Sequence, residues 1–209
     1  MKRRQFIRNA TAWAFTGLIF VPRLRAQSPG IPGASVPFFK AASAAGSACT
    51  TEAHSEGDTG SFDGALDWSA ETWKANSFVA PSSFTVCKGQ AYLAKQGTPA
   101  AGTLQALIYT DVGGVNPGTL IGTGSATVDR TGISSSQSFV DFTGIAASVT
   151  SGTTYWFVLK ASALDTDTSN RIYWQEDVTG ETSEANASND GTVWTGFQTN
   201  RAWVFKLFS

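Results

Sequence analysis

The sequence predicts an all-β protein, an antiparallel two-sheet β-sandwich with about nine strands. Its 209 residues include 21 Gly, 14 Phe and 7 Trp, and only 15% are charged, against roughly 25% in an average soluble domain. Aromatic and turn-forming residues suit strands and turns. Short apolar or alternating segments are separated by turn residues, and none repeats with a helical period. This excludes a helical bundle and the crossover helices that a parallel sheet requires.

Nine strands are predicted from these segments. The segment at 153–160 is almost continuously apolar, which indicates a strand covered on both faces. The segment at 84–94 alternates, and Pro81-Ser82-Ser83 before it and Gly97-Thr98-Pro99 after it mark turns. The predicted strands are 72–79, 84–94, 103–110, 120–128, 138–142, 153–160, 171–175, 191–195 and 201–208.

Residues 1–26 have the organisation of an export signal. A basic start is followed by an uncharged, mostly apolar stretch at 10–21, which is shorter than the ~20 residues that span a bilayer. The run Arg3-Arg4-Gln5-Phe6-Ile7-Arg8 resembles the twin-arginine signal, in which two Arg precede any residue, Phe, an aliphatic residue and a basic one. The resemblance implies export to the periplasm, the cell surface or the medium. An ordinary secretion signal and an uncleaved anchor are the alternatives.

Removal of the signal changes the charge of the chain. Six of the 15 Lys and Arg residues and none of the 16 Asp and Glu residues lie in it, so the formal net charge becomes −7 instead of −1. An acidic surface is a poor match for nucleic acid, whose binding depends on cationic contacts. It also disfavours binding to anionic lipid. It is compatible with uncharged ligands such as sugars, and we expect no membrane insertion after signal cleavage.

The exported chain divides into two parts. Residues 27–71 are predicted to be an Ala/Ser/Gly/Pro-rich linker followed by a polar loop segment, with a short strand at 36–40. Residues 72–209 are predicted to be the sandwich domain. Cys49 and Cys87 favour a disulfide because the chain is exported, which would hold the polar segment on the domain. Two buried thiols are the alternative.

Two passages carry a further resemblance. Residues 104–110 (LQALIYT) lead through a Pro-Gly turn into 116–121 (NPGTLI), and a Gly-Thr turn at 149–159 (VTSGTTYWFVL) leads into a strand that starts with Tyr-Trp. This pattern resembles a jelly-roll domain of bacterial secreted and surface proteins that is similar in build to non-catalytic carbohydrate-binding modules. The likeness covers about 72–209 and implies a glycan or a surface protein as the partner.

The residues available for catalysis are few. His54 is the one His of the chain, in a Gly-rich polar segment without a nucleophile motif, so we expect a solvated loop residue and not a catalytic base. No Gly-rich loop of a nucleotide-binding type is present, and no cofactor is expected. Paired carboxylates, as in a glycoside hydrolase, are the remaining enzymatic route. The candidates are Asp63, Asp67 and Glu71, or Glu176 and Asp177.

One loop is a candidate for structural calcium. Asp165, Asp167 and Asn170 lie in an oxygen-rich segment after a predicted strand, and oxygen ligands suit this cation. The segment lacks the Gly and the bidentate Glu of an EF-hand. A solvated turn capped by its own Asp side chain is the alternative.

Aromatic residues carry the binding hypothesis, because a ring can stack on the apolar face of a sugar while polar neighbours hydrogen-bond its hydroxyls. Ile172 and Trp174 share one face of the predicted strand 171–175, so Tyr173 is expected to be the more exposed ring there. Three tryptophans are assigned to the core, because Trp156 and Trp203 lie in the most apolar strands and Trp73 shares a face with Val79. Aromatic residues with polar neighbours are the candidates for ligand binding: Trp68, Tyr173, Trp174 and Trp194.

The leading hypothesis is an exported, non-catalytic β-sandwich that binds a glycan or a cell-surface partner. A structural subunit of an extracellular or envelope-associated assembly is the alternative, and a carboxylate-dependent glycoside hydrolase is a second one. A row of exposed rings would favour sugar binding. An exposed apolar patch above a few hundred Å² would favour assembly, and two carboxylates about 5–10 Å apart across a cleft would favour a glycosidase.

Overall fold

A computed structural model describes residues 49–59, 64–68, 70–165, 167, 169–177, 184–188, 190–195 and 198–209. In this part of the chain two antiparallel sheets pack face to face, so the predicted β-sandwich is confirmed. No helix among the described residues is long and apolar enough to cross a membrane. Arg3 and Arg4, the predicted signal and the predicted strand at 36–40 lie outside the described residues.

Sheet A contains seven strands. Its order is β1-β14-β4-β10-β13, and β8 pairs with the other edge of β4 while β2 pairs with β10. The strands are β1 (Glu52–Glu56), β2 (Gly64–Asp67), β4 (Phe84–Gln96), β8 (Ser138–Val149), β10 (Arg171–Asp177), β13 (Ala202–Trp203) and β14 (Phe205–Phe208).

Sheet B also contains seven strands. Its order is β12-β11-β3-β9-β5-β6, and β7 pairs with β5. A single 3₁₀ turn, Arg130–Gly132, follows β7. The strands are β3 (Trp73–Val79), β5 (Thr103–Val112), β6 (Asn116–Thr123), β7 (Val128–Asp129), β9 (Thr154–Ala161), β11 (Glu184–Ser188) and β12 (Gln198–Thr199).

The described residues form fourteen strands where about nine were expected. Three of them have only two residues, and three-dimensional pairing rather than a sequence pattern defines such short strands. The polar segment before residue 72 was expected to be loop, but it contains β1 and β2 and belongs to the sandwich. The strand predicted at 120–128 begins earlier, at Asn116, and ends at Thr123. The strand predicted at 191–195 is wrong, because the strand in this region is β11.

The central core lies between the two sheets. Sheet A contributes Trp174 and Phe205, and sheet B contributes Phe78 and Phe157, all with 0–2% of their surface exposed. The rings of Phe157 and Phe205 stack across the interface with centroids 4.9 Å apart. Burial of one such side chain contributes about 1.5–3 kcal/mol, so these contacts hold the sheets together.

A second apolar cluster lies on the outer face of sheet B. β3 turns Phe78 toward the central core, and the alternating residues Trp73 and Ala75 lie on the opposite face with Trp156 of β9. Trp156 is buried as expected, but it belongs to this second cluster. Trp73 was assigned to the core and is half-buried at the edge of the cluster. Trp203 lies in the central core as predicted.

A buried ion pair joins three loops of the sandwich. Arg130, in the 3₁₀ turn, contacts one carboxylate oxygen of Asp165 and donates to the carbonyl of Ala163 at 2.6 Å. The other Asp165 oxygen accepts the backbone N–H groups of Trp68 and Ile172, at 3.3 and 3.2 Å. Both charged side chains are fully buried. Burial raises the pKa of Asp165, and the Arg130 charge opposes that rise.

Cys49 and Cys87 form a disulfide, as predicted. It joins the segment before β1 to the first half of β4. Thr51 continues the attachment, because its backbone N–H and carbonyl both bond to Ser209 after β14, at 3.3 and 3.0 Å. Both attachments precede β1, so they hold the residues before this edge strand on the sandwich.

The ion pair leads to a prediction about stability. Arg130→Met leaves the Asp165 carboxylate buried without its counter-charge, so the free energy of unfolding should fall by about 3–5 kcal/mol. Asp165→Asn in the same chain should recover part of that loss, because the neutral amide oxygen still accepts the two backbone N–H groups. Urea unfolding of both variants measures this. Lys206→Met, which breaks an exposed ion pair with Glu52, is the control and should change stability by about 1 kcal/mol or less. Equal effects of Arg130→Met and Lys206→Met would contradict the prediction.

The disulfide leads to a second prediction. Replacement of Cys49 and Cys87 by Ser should lower the free energy of unfolding by about 3–4 kcal/mol, because the crosslink closes a loop of 38 residues of separation in the unfolded chain. Thermal or urea unfolding of the oxidised protein and of the double variant measures the difference. Two free thiols per chain in the purified protein, measured by mass spectrometry without reduction, would contradict the pairing.

Candidate functional site

Two of the four aromatic candidates are wrong. Trp68 and Trp174 are 0% exposed and belong to the central core. The polar neighbours of Trp68 are no guide to its burial, because β2 pairs with β10 and carries Trp68 into the sandwich. Trp174 turns inward as the shared face with Ile172 predicts, and its indole N–H donates to the carbonyl of Val204 at 2.9 Å.

Tyr173 lies on the outer face of sheet A and is half-buried. Its neighbours Ile172 and Trp174 point into the core, so the alternation of β10 turns Tyr173 outward. The guanidinium of Arg171, on the same face, lies 6.0 Å from the centre of the tyrosine ring. The Arg171 Nε–H also donates to the side-chain oxygen of Gln96 on β4, at 3.3 Å.

Two further rings lie on the same face. Tyr92 of β4 and Phe139 of β8 are direct cross-strand partners, both are half-buried, and their centroids are 4.9 Å apart with planes tilted by 55°. Tyr173 pairs with Ala94, one outward position along β4 from Tyr92. The three rings therefore form a row across β8, β4 and β10, which we call the aromatic strip.

Polar side chains flank the aromatic strip. The amide of Gln90 donates to Asp141 at 2.6 Å, and the Lys88 ammonium lies 3.6 Å from the other oxygen of the same carboxylate. The Lys206 ammonium lies 5.2 Å from the centre of the Phe139 ring and 2.7 Å from Glu52. The side chain of Asp141 is 53% exposed, so its oxygens remain accessible to a ligand.

A loop bounds the strip along one side. Val204 lies between Gln175 and Tyr92 in the sheet, bonded to the backbone of each at 3.0 Å. Gly57 crosses over Val204 so closely that a Cβ on Gly57 would lie 2.9 Å from the valine Cγ2, and its φ of +71° also favours glycine. The Gln175 amide donates to the carbonyl of Asp58 at 3.3 Å. The loop therefore covers the outer face on one side of Tyr92.

Tyr92 and Phe139 are not among the candidates from sequence, because neither segment alone shows that the two rings meet. The alternation of 84–94 does place Tyr92 on one face with Lys88 and Gln90. An aromatic residue on a face of polar residues is the signal that would have found it. Phe139 requires the register of β4 with β8, which pairs residues more than 40 positions apart.

Each of the calcium candidates bonds to groups of the protein itself. Asp165 is occupied by Arg130 and two backbone N–H groups. Asp167 instead accepts the backbone N–H groups of Ser169 and Asn170, at 2.7 and 2.9 Å, and the amide of Asn170. The Asn170 amide and these N–H groups lower the pKa of Asp167. This is the self-capped turn that the sequence leaves as the alternative. In the described part of the chain, no group of three or more His, Cys, Asp or Glu residues could hold a metal ion.

The carboxylates considered for hydrolysis have structural partners. Glu71 bonds to the Lys74 ammonium at 2.6 Å, and Glu176 to Arg201 at 2.7 Å. Asp177 accepts the backbone N–H of Asp58 at 2.8 Å. Consecutive strand residues point to opposite faces, so Glu176 and Asp177 do not face one another across a cleft. Asp63 lies outside the described residues, and Asp67 is described only as the backbone partner of Tyr173.

His54 is not the solvated loop residue that the sequence suggests. It lies in β1, with its ring 5.1 Å from that of Phe78 and 5.8 Å from that of Phe205. Its Nε2 atom lies 3.5 Å from a carboxylate oxygen of Glu56. The ring closes the edge of the central core.

Trp194 lies on the opposite side of the sandwich from the aromatic strip. It is half-buried and packs edge-on against Tyr109 at 6.3 Å between centroids. Residues 190–195, which we call the Trp194 loop, lie over the outer cluster of sheet B. Gly191, with φ of +74°, allows the backbone to approach the Trp73 ring, from which a Cβ would be 2.9 Å away.

Asp190 holds the Trp194 loop in shape. One of its carboxylate oxygens accepts the backbone N–H groups of Thr192 and Val193, at 2.8 and 2.9 Å, and contacts the Ser188 hydroxyl at 3.1 Å. The N–H of Val193, followed by that of Thr192, holds the pKa of Asp190 well below its usual range.

The Asp190 contacts lead to a prediction about pH. The folded-state pKa lies below the unfolded value of about 3.9, so this group contributes stability above about pH 4, and the contribution is lost as the pH falls through the folded pKa. Asp190→Asn keeps the acceptor oxygen but removes the charge. The stability difference between the wild type and this variant should therefore be largest near pH 6–7 and should shrink below about pH 4. Urea unfolding over this pH range measures it, and a difference that does not change with pH would contradict the assignment.

Comparison of the chain with protein-family models gives no match, and comparison with curated protein sequences gives none either. The geometry of the aromatic strip is therefore the basis for assigning its role.

Proposed function

We propose that this protein is an exported, non-catalytic binding module that holds an uncharged glycan on the aromatic strip of sheet A. The observation that carries the proposal is the row of three half-buried rings, Phe139, Tyr92 and Tyr173, on an outer face of the sandwich with polar side chains beside them. The central core already contains many aromatic residues, so these three rings are not needed to complete it.

The chemistry of the strip suits a sugar. A pyranose ring has an apolar face of C–H groups and a rim of hydroxyls, and an aromatic ring flanked by hydrogen-bonding groups matches both. Beside the Phe139–Tyr92 pair, Asp141 supplies acceptors, and Gln90 and Lys206 supply donors. Beside Tyr173, Arg171 and Gln96 supply both kinds of group.

The charges of this face favour an uncharged ligand. Lys88 is paired with Asp141, and Lys206 is paired with Glu52. An acidic glycan would have to compete with these carboxylates for the two ammonium groups. The net charge of −7 without the signal also opposes the approach of polyanions, so neither nucleic acid nor anionic lipid is proposed as a partner.

A binding role is supported over hydrolysis by the way in which the carboxylates are used. Glu71, Glu176 and Asp177 bond to groups of the protein itself, and Asp141 in the strip bonds to Lys88 and Gln90. A glycosidase requires a pair of carboxyl groups, one on each side of the scissile bond. No cofactor is part of the proposal.

Export is supported by two independent features. The run at 3–8 resembles the twin-arginine signal, and the Cys49–Cys87 disulfide is typical of proteins in oxidising compartments. The periplasm, the cell surface and the medium all fit these features.

A structural subunit of an envelope-associated assembly is the second candidate, and one observation favours it. Val79, Leu120 and Val193 are 55%, 44% and 62% exposed on the sheet B side of the sandwich. In an assembly these side chains would contact another chain. A glycan or a surface protein could also be bound on the opposite side at the same time.

Binding at the strip is tested by a glycan array with the purified protein, with and without calcium. Uncharged glycans should bind, and calcium should not change their binding. Tyr92→Ala and Tyr173→Ala should each weaken binding about 3- to 10-fold, which corresponds to the 0.5–1.5 kcal/mol of an aromatic contact. Trp194→Ala, which removes a half-buried ring from the opposite side, is the matched control and should bind as the wild type does. Loss of binding in the Trp194 variant alone would place the site on sheet B.

A further inference from the structure

The aromatic strip runs across the strands and not along one of them. Phe139, Tyr92 and Tyr173 lie on three adjacent strands, β8, β4 and β10. Neighbouring strands are about 4.8 Å apart, so the row extends over roughly 10 Å. This length exceeds one sugar ring and fits two or three consecutive ones.

The strip contains two separate platforms. Phe139 and Tyr92 form one, because their centroids are only 4.9 Å apart. Tyr173 forms the other, with the Arg171 guanidinium 6.0 Å from its centre. Tyr173 is diagonal to Tyr92, and diagonal neighbours on a sheet are about 7–8 Å apart. Each platform has its own hydrogen-bonding groups, so each can hold a different sugar of one chain.

The row begins at one edge of sheet A. Among the described strands of that sheet β8 pairs with β4 alone, so the Phe139 end of the row lies at this edge, while β2 lies beyond Tyr173 at the other end. A pocket for a single sugar or a chain end encloses most of its ligand. A strip that reaches the edge of a sheet allows the ligand to continue beyond it.

We infer that the aromatic strip binds an internal segment of a linear, uncharged polysaccharide, which crosses the strands with consecutive sugars on the Phe139–Tyr92 platform and on Tyr173. This inference rests on the proposed function and deepens it. It assigns Tyr173 to a second subsite that short ligands do not reach.

The test is the dependence of affinity on ligand length. β-1,4-linked oligomers of glucose, xylose and mannose, each with one to six units, are titrated by calorimetry against the full exported protein. For at least one series, affinity should rise about 3- to 10-fold when the oligomer becomes long enough to reach Tyr173, and should then level off. Tyr173→Ala should abolish this rise and leave the affinity for the shortest bound oligomer unchanged.

Controls separate the inference from the fold and from the proposed function. Tyr173→Phe keeps the ring and should restore the length dependence, and thermal unfolding shows whether the Ala variant is folded. Trp194→Ala should behave as the wild type. Affinity that is independent of length, or that Tyr173→Ala lowers equally for all lengths, overturns the inference while the binding function stands. Absence of binding by all three series overturns both.

Discussion

The buried contact of Arg130 with Asp165 connects segments of the two sheets, because both residues follow strands of sheet B and Asp165 also bonds to the backbone of sheet A. Asp165 accepts from the backbone of Trp68 after β2 and from Ile172 at the start of β10, and Arg130 connects it to the turn after β7. Removal of one partner of such a pair is strongly destabilising, because it leaves the other charge buried and uncompensated. The start of β10 is thus fixed by the same carboxylate, and β10 is the strand that turns Trp174 inward and Tyr173 outward. The ion pair therefore supports the start of the strand that carries Tyr173.

The two outer faces of the sandwich differ in polarity and in how far loops cover them. On sheet B, β9 is apolar on both sides, and the Trp194 loop covers the outer cluster around Trp156. On sheet A the outer side of β4 alternates Lys88, Gln90 and Tyr92, and the loop at Gly57 covers only one part of the face. The side of the molecule that carries rings among polar groups is therefore the more suitable one for a hydroxyl-rich ligand. The more apolar side suits contact with another chain.

Local patterns predicted the sandwich and several of its details. The continuous apolar run of β9 and the inward turn of Trp174 follow from neighbouring residues, and the Cys49–Cys87 pairing was expected from the predicted export of the chain. Features that depend on distant pairing were missed. The segment containing β1 and β2 has no period of its own and becomes ordered only against β14 and β10.

The burial of several polar residues was also not predicted from the sequence. Lys74 and Asn76 share the face of β3 that is turned to the core, where the Asn76 side-chain oxygen accepts the backbone N–H of Trp203 at 2.7 Å. From the sequence Asp165 was a candidate metal ligand, because its neighbours are oxygen-rich. Its partner Arg130 is 35 positions away and is not part of that local pattern. For the same reason the Tyr92–Phe139 pair could be recognised only once β4 and β8 were in register.

The central claim is that a glycan lies on the outer face of sheet A. The most direct measurement is an NMR titration of the ¹⁵N-labelled protein with the oligosaccharide that binds best. The account predicts that the shifted amide signals belong to residues 88–94, 138–141 and 171–173, and that the signals of 190–195 do not move. Shifts concentrated at 190–195 and around Trp73, with no change along the strip, would contradict it.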